Sequence, residues 1–359
     1  MAYTTIDDPS AYFQALSYSG AGGSSNISRT FDGNSDLQPD LTWHKSRGQT
    51  YNHYMFDSSR GVGLYLSPNL TVGDDGTSGD TTSLASFDSD GFTLAASQGI
   101  SDGSAAIMCY GWKCNGGTET HSQSESGSNM ACSVSANSTA GFSIITHTGT
   151  GGTGHTFLHG LGSAPACFIT KRRSGTEDWL IYHHKNTSAP ETDHLLLNKA
   201  DGTSDSDTRF DDTAPNSTEI ACGNNAVINA DASTYVTYAW REIQGYSKFG
   251  SYTGNGNANG AFVYTGFKPA FVIQKQSSAN GEYWMMKDNA REPHNQADIN
   301  FYPNANNVEG DTNGIDFLSN GFKCRTTGAG SNASSATYIY MAWAESPFVS
   351  SEGVPTTAR

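Results

Sequence analysis

Apolar and polar residues alternate in short runs along this chain, and Gly, Asn, Ser and Pro separate the runs. Three runs stand out: IMCYGW (107–112), YVTYAW (235–240) and YIYMAW (338–343). In each, alternate positions carry large side chains: Met108, Tyr110 and Trp112, then Val236, Tyr238 and Trp240, then Ile339, Met341 and Trp343. A period of two with bulky apolar residues on one side predicts a half-buried strand. Trp112, Trp240 and Trp343 are therefore expected as structural core anchors, since buried aromatics of this size contribute much of a small domain's core energy. The opposite face narrows at Gly111, Ala239 and Ala342.

Other markers recur at nearly constant spacing. A Pro and a Lys precede each closing strand as Pro39/Lys45, Pro165/Lys171 and Pro269/Lys275, and a second run follows as HYMFD (53–57), WLIYH (179–183) and WMMKD (284–288). This register reads as a threefold repeat. The predicted fold is all-β, with three tandem β-sandwich modules (jelly-roll or lectin-like) of about 100 residues each, the size of common sandwiches. The expected boundaries are an N-terminal arm at 1–10, units at 11–114, 140–243 and 245–348, and a tail at 349–359. Residues 115–139, rich in Ser and Gly, read as a linker. Each unit is expected to bury its own core, with the three arranged in a row.

One loop looks like chemistry and reads otherwise. Tyr252-Thr253-Gly254-Asn255-Gly256 resembles the start of a phosphate-binding glycine loop, but Asn259 stands where the dinucleotide fingerprint needs Gly, and a β-type run follows instead of a helix. Its counterparts, His147-Thr148-Gly149-Thr150-Gly151 and Tyr18-Ser19-Gly20-Ala21-Gly22, make it a repeated turn.

Composition narrows the functional classes. The 359 residues include 40 Gly, 20 basic and 35 acidic side chains, for a formal net charge of −15. That field disfavours nucleic acid, and the run Lys171-Arg172-Arg173 reads as a solvated strand end. No window is apolar enough for a membrane helix. The first residues carry no basic and apolar signal, so synthesis and assembly in the cytosol are expected. The six cysteines lack metal-ligand spacing. Cys109, Cys167, Cys222 and Cys324 read as small buried residues. Cys114 and Cys132 read as two thiols, with a disulfide as the alternative outside a cell.

Candidate chemistry is sparse. Ten histidines are scattered, and the adjacent pair His183-His184 lies on a strand, where neighbours point to opposite faces. No nucleophile elbow is present. One acidic feature recurs: VGDDGTSGD (72–80), KADGTSDSD (199–207) and VEGDTNGID (308–316). Asp74, Asp75, Asp80, Asp201, Asp205, Asp207, Glu309 and Asp311 are solvated turn residues on the first reading and Ca²⁺ ligands on the second, because Ca²⁺ prefers hard oxygen donors. No other cofactor is expected.

Several phrases resemble virion structural proteins of marine bacteriophages, of the cyanophage and pelagiphage type. They are MAYTTIDDPSAYFQ at the start, SFDSDGFTL (86–94), GYSKFGSYTGNG (245–256), VYTGFKPAFV (263–272), DFLSNGF (316–322) and TYIYMAWAESPFVSS (337–351). The resemblance implies a tail-fibre-like protein of the phage particle surface with lectin-like sandwich modules and no catalytic residues. Its partners would be other virion proteins, copies of itself in a symmetric oligomer, and a host surface glycan. The alternative is a capsid decoration or tail-assembly protein without a host ligand. A virion-borne glycan hydrolase is a third class, since paired carboxylates need only meet in space. The chain lacks the heptad or collagen-like shaft of a long fibre, and the N-terminal arm is the segment expected to engage the virion.

Overall fold

The computed structural model describes residues 2–20, 22, 26–76, 83–95, 99–103, 106–114, 117–122 and 129–357. Each closing strand lies inside an antiparallel sheet with one recurring order. In the first unit the neighbours run Phe13–Ser19, Ala106–Trp112, Leu41–Ser46, Tyr54–Asp57. The second unit repeats this as Phe142–Thr148, Thr234–Trp240, Cys167–Arg172, Leu180–His183. The third repeats it as Ser247–Thr253, Thr337–Pro347, Phe267–Gln276, Met285–Asp288. The protein is all-β, with two short α-helices at Asp207–Phe210 and Ala226–Asn229 and one 3-10 turn at Pro9–Ala11 among the described residues.

A second sheet backs each of these. It comprises Ile27–Arg29, Gly91–Leu94 and Leu84–Asp88 in the first unit, and His155–Leu158 with Glu219–Cys222 in the second. In the third it comprises Phe262–Tyr264, Gly321–Cys324, Gly310–Leu318 and Ala297–Asn300. Between the paired sheets lie three separate apolar clusters, around Phe92, Phe168 and Phe322 respectively.

The tryptophan faces do not pack into these clusters. They meet one another. The ring centroids of Trp112, Trp240 and Trp343 form a near-equilateral triangle with sides of 6.2, 5.4 and 5.8 Å. Around it a fourth cluster draws residues from every unit, including Phe142, Phe271 and Tyr246. The row of independent sandwiches is thus corrected to a closed ring about a pseudo-threefold axis. Both faces of each inner sheet are buried, one in the unit's own sandwich and one at the axis, so alternation in sequence distinguishes two cores rather than core from solvent.

Two boundary expectations are also corrected. The segment 115–139 is not simply a linker: Glu119–His121 and Cys132–Asn137 add two antiparallel strands beside Phe142–Thr148, giving the second unit an eight-stranded sheet. The N-terminal arm has a structural task as well. Ile6 is buried in the axial cluster, Thr4 Oγ1 donates to the Gln244 carbonyl, and the Ser351 amide donates to Asp7 Oδ1 at 2.6 Å.

The repeated glycine turn has a steric cause. A Cβ at Gly20, Gly149 or Gly254 would come within 2.2 Å of the backbone of Ser101, Ala230 and Ala333 respectively. The second glycine of each turn, Gly22, Gly151 and Gly256, has φ of 69, 72 and 64°, the left-handed region that glycine enters at least cost.

Candidate functional site

The recurring lysine and the first residue of the HYMFD-type run build the contacts between units. Trp179 Nε1 donates to the carbonyls of Ser67 and Leu70 in the first unit, and Trp284 Nε1 to Leu196 O in the second. The equivalent His53 donates through Nε2 to Tyr302 O of the third, its Nδ1 accepting from Trp43 Nε1. The lysines follow the same cycle. Lys171 Nζ donates to Thr71 O, Lys275 Nζ to Ala200 O, and Lys45 Nζ sits 5.7 Å from the Phe301 ring. Burial brings each of these three lysines down to about 8. Lys171 is therefore not a solvated strand end.

Charged groups complete two of the three contacts. Asp57 accepts from Tyr238 Oη at 2.7 Å and pairs with Arg60 Nε at 2.5 Å; Asp288 accepts from Tyr110 Oη at 2.7 Å and pairs with Arg291 Nε at 2.6 Å. Asp74 then joins Arg60 to Arg173 of the second unit at 2.9 and 2.8 Å, and Glu309 joins Arg47 of the first unit to Arg291 at 2.8 and 3.7 Å. The third contact substitutes every member. His183, Asn186, Met341 and Ser277 stand where the others have Asp, Arg, Tyr and Arg. There His183 donates to the Tyr340 carbonyl, Thr203 Oγ1 donates to Asn186, and the Thr203 amide donates to Ser277 O.

These contacts place the acidic candidates. Asp74 and Glu309 are ion-pair hubs, each facing two guanidinium groups, a field that repels a cation. Asp75 accepts from Tyr65 Oη at 3.0 Å. Asp205 and Asp311 are exposed on strands, Asp207 at the start of a short helix and Asp201 on a loop, and Asp80 lies outside the described residues. Among the described residues no three His, Cys, Asp or Glu side chains are placed to share a metal ion. His183 and His184 both engage the third unit's backbone, His184 Nε2 donating to Phe249 O at 2.7 Å. Cys114 and Cys132 are thiols; Cys114 Sγ donates to Ser135 O at 2.8 Å. The signal for the true interface residues was present in the sequence: a lysine repeated at one strand position in every unit.

Ligand-sized space lies outside the ring. A groove of ≈ 630 Å³ on the second unit has an apolar floor of Val134, Ala136 and Leu158 and a polar rim that includes Glu119, His121 and Thr218. A cleft of ≈ 420 Å³ on the third unit is walled by Tyr3, Glu242, Gln244, Lys248, Tyr264 and Thr265. Tyr3 Oη donates to Gly266 O at 2.7 Å and lies 3.3 Å from Tyr264 Oη. Burial would raise Glu242, but hydrogen bonds from Lys248 Nζ and the Phe249 N–H, with the His184 ring 3.7 Å away, hold it down at about 2, so the cleft keeps a carboxylate. Beside it Phe262 and Tyr264, 48% and 54% exposed, share one face of an edge strand whose middle residue, Val263, points into the core. All six tryptophans are buried. The exposed aromatic surface is made of Tyr and Phe.

Residues 8–347 match the model of the family described as a domain of unknown function, DUF7483, and the chain belongs to that family. The match runs through all three units and the strands between them. No curated protein and no solved structure matches the chain.

Proposed function

We propose that this member of the DUF7483 family is a non-enzymatic bacteriophage virion surface protein, tail-associated, which attaches to the host through weak, multivalent glycan contacts. The observation that carries the reading is the contrast between the interior and one surface. Buried charged groups such as Asp57, Arg60 and Lys171 hold units together, whereas Tyr264 and Tyr3 line a polar cleft with carboxylate, amide, ammonium and hydroxyl groups, and Phe262 shares the exposed strand face of Tyr264. Aromatic faces with adjacent hydrogen-bonding groups suit a sugar, which presents C–H faces and hydroxyl edges. The long phrases resembling marine phage virion proteins supply the setting.

Two measurements test it. Purified protein should adsorb to host cells or their surface polysaccharide, and Phe262→Ala with Tyr264→Ala should weaken adsorption about tenfold or more, as expected when aromatic anchors are removed. Antibody labelling of intact virions should mark the tail. Label over the capsid lattice, with no adsorption to cells, would replace this reading with capsid decoration.

A further inference from the structure

The third unit departs from the other two at one place inside its sandwich. Phe56 and Tyr182 face the inter-sheet clusters of the first and second units, and the equivalent residue of WMMKD is Lys287. The adjoining segment changes in step. Met55, Ile181 and Met286 pair with Leu66, Leu195 and Phe301, so Tyr65, His194 and Asn300 are equivalent. In the first unit Phe56 and Tyr65 are in ring contact at 5.8 Å. In the third, Lys287 and Asn300 occupy those positions, both at 0% exposure. A buried lysine and a buried asparagine replacing an aromatic pair in one copy of a repeat need a chemical reason.

The two side chains are in direct contact. Lys287 Nζ lies 2.5 Å from Asn300 Oδ1 and 3.3 Å from Thr312 O. The amide orientation is set by its other side, where Nδ2 donates to the carbonyls of Asp298, at 2.7 Å, and Thr312. With a C=O bond of about 1.23 Å, Nζ stands roughly 3–3.7 Å from the amide carbon, on the oxygen side, so a small swing of the lysine end over the amide face brings it to the carbon. Burial first, and the Arg291 guanidinium second, bring Lys287 down to about 7, so the neutral amine is well populated at neutral pH. Glu292 accepts from the Ile299 N–H at 2.7 Å, next to Asn300, and burial raises its carboxyl above the ordinary range. It also feels the charge of Lys287.

We propose that the folded chain joins Lys287 to Asn300 by an intramolecular isopeptide bond. The lone pair of neutral Nζ attacks Cγ of Asn300 and forms the new C–N bond. The Cγ–Nδ2 bond breaks, one Nζ proton passes to Nδ2, and ammonia leaves. Glu292 is the carboxyl placed to assist that proton's movement. Atoms and electrons balance without oxidant, metal or cofactor, and the reaction occurs once per chain. The product staples the strand Met285–Asp288 of the inner sheet to Ala297–Asn300 of the outer one. This inference does not rest on the virion reading.

The test is the intact mass of the denatured full-length protein, followed by peptide mapping. The expected mass is below that of the sequence by one ammonia, with a branched peptide joining the segments that contain Lys287 and Asn300. Lys287→Met and Asn300→Ala should each restore the full mass of the variant chain. Glu292→Gln should leave part of the protein unjoined and slow its conversion roughly 100-fold, the scale of a lost proton-transfer group. It should also change the pH profile of conversion, which a merely structural effect would not. Wild-type protein at its full sequence mass, with Lys287 acylated like other lysines once denatured, would overturn the proposal. So would an ammonia loss that persists in Lys287→Met, which marks a succinimide instead.

Discussion

Asp57 shows how much one side chain can hold. It faces Arg60, with no exposed side-chain surface on either, and Tyr238 of the next unit. Tyr238→Phe removes the hydrogen bond to Asp57 and the longer one from Arg60, and should cost about 1–3 kcal/mol, because both partners stay buried. Asp57→Ala leaves a buried guanidinium uncompensated and should cost about 3–5 kcal/mol. Urea denaturation of the two variants checks the order, and equal losses would contradict it. The repeated lysines give a pH signature. Lys45, Lys171 and Lys275 have folded values near 8 against 10.5 when unfolded. Between those values the unfolded chain binds more protons at these lysines, so they contribute a rise in stability as pH climbs from about 8 to about 10, set against the loss that thiols and phenols raised by burial contribute from about 9 upward. Lys171→Met should flatten that rise by roughly a third, the share of one lysine among three equals. These lysines were visible as a repeat, yet their burial was not, because a Lys at a strand end is ordinarily solvated.

Strands and turns were the most legible level. The closing strands, the Pro-to-Lys approach and the glycine turn all follow from local pattern, since a strand's period and a turn's φ are set by near neighbours. The turn predicts its own sensitivity. At Gly149 a Cβ would come 2.2 Å from the Ala230 carbonyl oxygen, so Gly149→Ala should lose about 1–3 kcal/mol through a backbone shift. An unchanged Tm in that variant would refute the steric account. Less legible were the strands Glu119–His121 and Cys132–Asn137, because Ser- and Gly-rich composition resembles a linker unless a neighbouring sheet edge is known. The three inter-unit contacts also differ in kind. Two rest on buried or half-buried ion pairs and the third on neutral hydrogen bonds. Asp74→Asn and Glu309→Gln should each destabilise the protein, and the loss should shrink at high salt, where the parent pairs are already screened.

For the whole molecule the decisive feature is closure around Trp112, Trp240 and Trp343. The sequence places each tryptophan on the large face of its strand, but not in contact with the other two, because the contact joins strands more than a hundred positions apart and leaves no local period. Burial within the sandwiches, for His44, His147 and His194, and at the contacts between units, for His53 and His183, also takes histidines out of solvent. Burial holds His44, His53 and His183 at about 3 and His147 and His194 at about 4. Below 6.5 the unfolded chain takes up protons that the folded chain refuses, so stability should fall as pH drops from about 6.5 toward 4, by about 1.4 kcal/mol per pH unit for each histidine. A stability flat across that range would contradict these burials.

The central claim is that the three units form one cooperative body. Scanning calorimetry of the full chain, with tryptophan fluorescence followed in parallel, tests it most directly. The account predicts one transition in both signals, with calorimetric and van't Hoff enthalpies equal, because no unit can leave without exposing the shared aromatic core. Two or three resolved transitions, or fluorescence that changes in separate steps, would show that the units fold as independent sandwiches and that the axial contact is incidental.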